Sequence, residues 1–395
     1  MARRERLITP VFALVMVSTF AYFVAVGIIM PTLPLFVEGP LGLGSSQVGI
    51  AVGAFAISAV LLRPWIGRIG DSRGRKVLII GGGAAVAVSV AGYALAESLS
   101  VLVMLRILTG VGEAAFYVGA ASVINDIVPD DRRAESLSYF SLALFGGLAV
   151  GPVLGETILH AANFDVVWFV AAIAAGLAAV VGLVIPESRP EGVEFEKGPL
   201  ISRHALLPGT VLATNIWALA TFTSFLPLFA LQIGLSGSKY VFATNSAVII
   251  AVRLFGARIP DRLGIRKTSR LALAFVAIGM LVMAAWANAP GLFAGTIIYS
   301  LGHALAFPAL MTLAINRAPL NERATVIGTV TAFFDLSFGV GAASAGQIAS
   351  VIGYRGAFLV SAGVALGGIA LLFGHARRSA RAELDVPSEA ASEAA

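Results

Sequence analysis

Arg63-Pro-Trp-Ile-Gly67-Arg68-Ile-Gly-Asp71-Ser-Arg-Gly74-Arg75-Lys76 returns, altered, as Arg253-Leu-Phe-Gly-Ala-Arg258-Ile-Pro-Asp261-Arg-Leu-Gly264-Ile-Arg266-Lys267. Arg63/Arg253, Arg68/Arg258, Asp71/Asp261 and Gly74/Gly264 share one spacing of 190 residues. Both stretches are charged loops between long apolar segments. Pro129 and Arg133 match Pro319 and Arg323 at the same spacing, and Phe164 and Trp168 match Tyr354 and Phe358. Leu33-Pro-Leu-Phe36 matches Leu226-Pro-Leu-Phe229 at a spacing of 193. Resemblance among short basic loops would not hold one spacing through several of them, so the chain reads as a duplication. A membrane protein of two similar halves is most often a transporter that rocks one half against the other.

Composition places the chain in lipid. It is 58% hydrophobic and only 12% charged, with a mean hydropathy of +0.91. A soluble domain carries roughly 25% charged residues. There is no cysteine, so disulfides, thiolate metal sites and cysteine nucleophiles are excluded. A bilayer-crossing helix needs ~20 residues, and twelve segments qualify: 9–37, 46–67, 77–96, 100–126, 134–160, 164–186, 206–233, 239–260, 269–288, 291–316, 324–350 and 355–375. The first is too long for a cleaved signal and lacks a clear small-residue cleavage site. With twelve spans both termini share a side. That side holds all but Arg106, Lys239 and Arg355 of the 27 lysines and arginines. The positive-inside rule makes it cytoplasmic, which predicts a multi-pass protein of the cell (inner) membrane.

The expected class is therefore an all-α membrane protein of twelve transmembrane helices in two pseudo-symmetric six-helix bundles. Residues 1–186 form the first bundle and 206–375 the second. Residues 187–205, with four glutamates and three prolines from Pro186 to Arg203, read as a cytoplasmic linker. Residues 376–395, rich in Ala, Glu and Ser, read as a disordered cytoplasmic tail.

Gly67-x-x-x-Asp71-x-x-Gly74-Arg75-Lys76, between the second and third spans, resembles the signature loop of the major facilitator superfamily. Arg106-x-x-x-Gly110-x-Gly112 in the fourth span resembles that family's second motif. Gly147-x-x-x-Gly151-Pro152-x-x-Gly155 in the fifth resembles the motif of its proton-coupled exporters, and Pro31-Thr-Leu-Pro34 is similar to the drug-exporter branch. The resemblance spans residues 9–375. It departs at Ala257 and Ile265, which replace Gly67 and Arg75 in the second loop, and at Glu156, where a second glycine is common.

The resemblance implies a latch of Gly67, Asp71, Gly74, Arg75 and Lys76 that holds the cytoplasmic side shut. Asp71 is suited to a helix end, and Arg75 to a bidentate carboxylate pair. Asp126, at the end of the fourth span, is the partner expected for Arg75. Gly147, Gly151 and Gly155 share one helix face and permit close packing. With Gly146, Pro152 and the matching Gly339, Gly341 and Ala345, they are expected to form a bendable contact between the halves.

Charge within a span is expensive, ~2.5–3.5 kcal/mol on insertion scales. Arg106 and Glu113 lie seven apart on one face of the fourth span, and Asp335 lies in the eleventh. His303 takes the place of Glu113 at the 190 spacing. A carboxylic acid in a low-dielectric cavity titrates closer to neutrality than one in water, the property proton coupling needs. Glu113, Asp335 and Arg106 are the expected coupling residues; Glu156, near the outer end of its span, reads as wetted. Tyr22, Met30, Tyr117, Asn215, Phe222, Phe225, Tyr299 and His303 are candidate cavity residues. Such aromatic and methionine surfaces are adaptable and fit lipophilic or cationic molecules better than sugars.

The expected function is export of small amphipathic molecules in exchange for protons. Import, uniport and lipid translocation are the alternatives. The expected partners are a small-molecule substrate, protons and the bilayer, with no nucleic acid, no cofactor and no metal, and the expected unit is a monomer. No paired aspartates or GxSxG-like serine suit an intramembrane protease. No nucleotide-binding motif is present, so the energy source is a gradient.

Overall fold

The computed structural model describes residues 9–384, apart from 129–131, 190–200, 257–258, 317 and 320–321. Helices dominate because the bilayer leaves no partner for an unpaired backbone N–H or C=O. They are α1 (Pro10–Glu38), α2 (Ser45–Gly53), α3 (Phe55–Arg73), α4 (Arg75–Ala91), α5 (Leu99–Ile127), α6 (Arg133–Ala161), α7 (Phe164–Val184), α8 (Leu206–Gln232), α9 (Lys239–Phe255), α10 (Ile259–Leu263), α11 (Ile265–Ala285), α12 (Ala289–Ile315) and α13 (Arg323–Leu384).

Among the described residues, ten helical segments are long and apolar enough to cross a membrane. One of them, within α13, carries both the eleventh and twelfth spans, bent at Gly353, where φ is 75° and ψ 175°. The eighth span is α9, at 17 residues, followed by the short α10. Twelve spans result, in two six-helix bundles. Side-chain oxygens of Thr9, Ser98, Asn163 and Asn288 cap α1, α5, α7 and α12. These polar residues interrupt the hydropathy and also satisfy the orphan donors of the helix they begin. The last helix runs on to Leu384, into the segment expected to be disordered. Its Ala, Arg, Glu and Leu are good helix formers. Residues 385–395, like the middle of the linker and Arg258, lie outside the described residues.

Within the first half α1 packs on α6 and α7, and α4 on α5 and α7; within the second, α8 and α11 pack on α13 and α11 on α12. The halves meet where α2 and α3 pack on the eleventh span, α6 on α9, and α1 on α8. We call the side of Thr9 the near face and the opposite side the far face.

The fifth-span glycines serve one half only. A Cβ on Gly147 would come within 2.7 Å of the Phe20 carbonyl, and one on Gly155 within 2.9 Å of that of Ile28. A Cβ on Gly27 of α1 would sit 3.0 Å from both Gly151 Cα and Pro152 Cδ. Gly147, Gly151, Pro152 and Gly155 thus seat α6 on α1, rather than joining the halves as expected. The matching glycines divide. A Cβ on Gly53 would meet the Gly339 carbonyl at 2.6 Å across the seam, whereas one on Gly341 would meet Trp217 of its own half at 3.0 Å.

Candidate functional site

Three polar clusters run from near face to far face, the first within the first half and the other two carrying links between the halves. The first is the near-face loop. Gly74 has φ 104° and ψ 160°, a region essentially reserved for glycine, and it turns the chain sharply from α3 into α4. Arg75 then folds back: its Nη1 lies 2.5 Å from Asp71 Oδ1 and its Nε 3.5 Å from Asp126 Oδ2. Asp126 is therefore a partner of Arg75, as the sequence indicates. Lys76 Nζ donates to the Leu183 carbonyl at 2.6 Å. A Cβ on Gly67 would meet nothing within 4 Å, so its face is open here.

The residues after the sixth span complete this cluster. Glu187 accepts from the backbone N–H of Arg75 at 2.7 Å and of Lys76 at 3.2 Å, and so caps the start of α4. Ser188 Oγ donates to Asp126, and Arg189 to the Ser72 carbonyl. Partial burial pushes the Glu187 carboxyl up, but the N–H groups of Arg75, Arg189, Lys76 and Ser188 outweigh it and hold the group below its ordinary value of 4.5. The sequence offered no signal for this role beyond a glutamate at the end of a span.

Gly74→Ala is expected to cost ~1–3 kcal/mol from backbone strain, and more because a Cβ would strike the Glu187 carboxylate. Gly264, with φ 80° and nothing within 4 Å of a Cβ, is the control. Thermal unfolding in detergent should show the larger loss at position 74. A folded-state value below the unfolded one means the Glu187 contribution is complete above pH 4.5 and fades as pH falls through the lowered value. The gap between the two variants should narrow only in that acid range.

The second cluster lies deep in the spans. Arg63 sits two turns along α3 from Asp71, ~12 Å into the helix. Its Nη2 lies 2.5 Å from Asp335 Oδ2, an ion pair that crosses from the first half to the second. The sequence placed Asp335 in a span but did not pair it with Arg63. Glu113 makes no hydrogen bond or ion pair among the described residues. It is half-buried on α5, which packs against α3, the helix that carries Arg63. Tyr117, one turn along α5, is also half-buried and within reach of Arg63, Asp335 and Arg253.

Arg106 does not pair with Glu113. It is 6% exposed, and its Nε and Nη2 donate to the carbonyls of Ala51 and Val52 at 3.0 and 2.9 Å. Its guanidinium covers the Phe55 ring at 4.8 Å. These partners flank Ala54, the residue between α2 and α3, so Arg106 braces the second span at that point. Its donors are engaged there, which argues against direct proton exchange with Glu113.

In the second half His303 Nδ1 lies 3.2 Å from the Asn215 amide nitrogen, and its ring stacks on Tyr299 at 5.6 Å. Tyr22 stacks on Phe116 at 3.9 Å, Phe222 on Tyr299 at 4.9 Å, and Phe225 on Tyr354 at 5.8 Å. Tyr22, Asn215, Phe222, Phe225 and Tyr299 are fully buried in this packing. Met30, Tyr117 and His303 are half-buried. The hydroxyls of Tyr22 and Tyr299 are buried without a partner.

The third cluster joins the halves at the far face. Glu156 is 2% exposed, not wetted as the sequence reading has it. Its carboxylate accepts from the Ser238 N–H at 2.8 Å, the Lys239 N–H at 2.8 Å and the Ser238 hydroxyl. It thereby caps the start of α9 in the opposite half, where the helix dipole favours an anion. Gln347 and Ser46 make a second link at 2.5 Å, and Tyr354 donates to Glu38 at 2.8 Å. The available signal for Glu156 is its place directly after Gly155, the last glycine of the fifth-span motif.

The family model described as Major Facilitator Superfamily matches residues 15–282 and 239–393. The chain belongs to the major facilitator superfamily. An uncharacterized MFS-type transporter of Salmonella typhimurium is 29% identical over 369 residues, 90% of this chain and 94% of that protein. A bacterial homologue of the human lysosomal transporter Spinster, inward-facing and occupied, superposes with a TM-score of 0.79 at 15% identity, covering 93% and 96% of the two chains. The nucleoside transporter NupG superposes at 0.73 with 11% identity, covering 93% and 99%. At such identities the solved structures show the fold alone. As a member of this superfamily the protein is a multi-pass membrane transporter. Arg63–Asp335 joins the second span to the eleventh, and Glu156–Ser238 joins the fifth span to the start of the eighth.

Proposed function

We propose that this transporter exports small amphipathic molecules in exchange for protons, by alternating access, with both termini in the cytoplasm of the cell's inner membrane. The observation that carries the reading is the Arg63–Asp335 ion pair, which ties the two halves together deep in the spans, with a second carboxylate, Glu113, on α5, the helix packed against α3. Asp335 is engaged by Arg63, while Glu113 has no ionic partner among the described residues. A proton on Asp335 removes the charge that ties α3 to the eleventh span and shifts the balance between states. The far-face seal at Glu156 and Gln347 is in place here. That is the arrangement required when the route opens to the cytoplasm, where substrate enters an exporter. The fifth-span motif favours export over import, and the basic residues on the near face favour the stated orientation.

The test uses everted vesicles holding a preformed inside-acid gradient. Adding a transported amphipathic compound is expected to collapse the gradient with the native protein and to leave it intact with Glu113→Gln. Compound uptake with no pH response in the native protein would establish uniport and end the antiport reading.

A further inference from the structure

The 190-residue spacing that relates Arg63 to Arg253 also relates Phe145 to Asp335. The structure places these four residues in two equivalent contacts across the seam. Arg63 of the second span reaches Asp335 of the eleventh at 2.5 Å. Arg253 of the eighth span reaches Phe145 of the fifth, its guanidinium carbon 4.5 Å from the ring centroid. One contact is an ion pair; at its pseudo-twofold mate a phenyl ring stands where the carboxylate would be. We propose that Arg253 receives the acidic group of the transported molecule, so that the substrates are small organic acids with an apolar body. The inference rests on the transport reading above and names its substrate class.

The energetics of Arg253 support this. It is half-buried, its Nε is buried with no hydrogen-bond acceptor, and no carboxylate pairs with it among the described residues. A ring beneath a guanidinium compensates a buried charge only in part. The side chain is held over the Phe145 ring of the fifth span. Arg63 has Asp335 as its counter-charge, whereas Arg253 has no carboxylate partner among the described residues. A single substrate anion balances it. The guanidinium offers a planar fork suited to a carboxylate, and the Phe145 ring beneath it offers the apolar wall that an aromatic or branched acid would use.

Purified protein in lipid nanodiscs, probed by thermal unfolding, tests the assignment. Benzoate and 2-naphthoate are compared with their primary amides and with benzylamine. The carboxylates are expected to raise the midpoint at millimolar concentration, while amides and amine do not. Arg253→Gln should abolish the shift. Phe145→Asp, which supplies the carboxylate that the other half already has, should abolish it with Arg253 still present. Arg253→Lys should retain part of it. Amines stabilising as well as acids, no shift from either acid, or shifts surviving in both Arg253→Gln and Phe145→Asp would overturn the proposal. Benzylamine-driven proton movement without carboxylate binding would remove this inference and leave the transport reading standing. Carboxylate binding through Arg253 with no proton movement would do the reverse.

Discussion

Glu156→Ala is expected to open the far face. The carboxylate holds two backbone N–H groups and one hydroxyl at the start of α9, and it belongs to the opposite half. Once it is removed, those donors have no acceptor while the seam stays shut, but water reaches them when it opens. The penalty therefore falls on the closed state alone. Buried donors left unmade cost about 1–3 kcal/mol each, and partial access of water reduces the sum to ~3 kcal/mol. That corresponds to about a hundredfold in the ratio of the two states. Glu156→Gln keeps an acceptor of the same reach but loses the charge that the helix end favours, and a shift of about tenfold is expected. The chain has no cysteine, so spin labels can be placed cleanly at Pro40→Cys and Ser236→Cys, exposed positions in far-face loops of opposite halves. Electron–electron distance distributions in nanodiscs should lengthen in Glu156→Ala, with Glu156→Gln between it and the parent. Identical distributions in all three would show that Glu156 seals nothing.

The same residue shows where sequence reading reaches its limit. The spans were legible because hydropathy is a sum over some twenty residues and tolerates error at each. The duplication was legible because one spacing recurs in several loops. Asp126 was found as a partner of Arg75 because both lie at span ends, where the order of helices restricts which ends meet. Glu156 and Arg106 were misread for a common reason. The burial of a lone charge depends on which neighbour the helix face meets, and periodicity does not reveal the neighbour. Arg106 shares a helix face with Glu113, yet its donors go to the Ala51 and Val52 carbonyls of the second span. The glycines at 147, 151 and 155 announced close packing correctly; that the partner is α1 rather than the other half is a property of the assembled bundle. Arg63 and Arg253 were the first residues of the repeat to be seen, but their meaning lay in the residues opposite them, Asp335 and Phe145.

Asp335→Asn is expected to abolish substrate-driven proton movement, and the loss must be separated from simple destabilisation. Asp335 is 6% exposed and paired at 2.5 Å. Removing one member of a buried pair leaves the other charge uncompensated, at about 3–5 kcal/mol; Arg63, with 18% of its side chain exposed, places this case at the lower end, ~3 kcal/mol. Arg63→Gln alone leaves the opposite charge stranded and is expected to destabilise by a similar amount. The double variant Arg63→Gln/Asp335→Asn strands neither and can bond amide to amide, so its thermal midpoint should return most of the way to that of the parent. A carboxylate with only a packing role predicts that proton movement returns with stability. A carboxylate that carries the proton predicts that stability returns and proton movement does not. Recovery of the pH response in the double variant would therefore exclude Asp335 from the coupling mechanism and leave Glu113 as the acid to be tested.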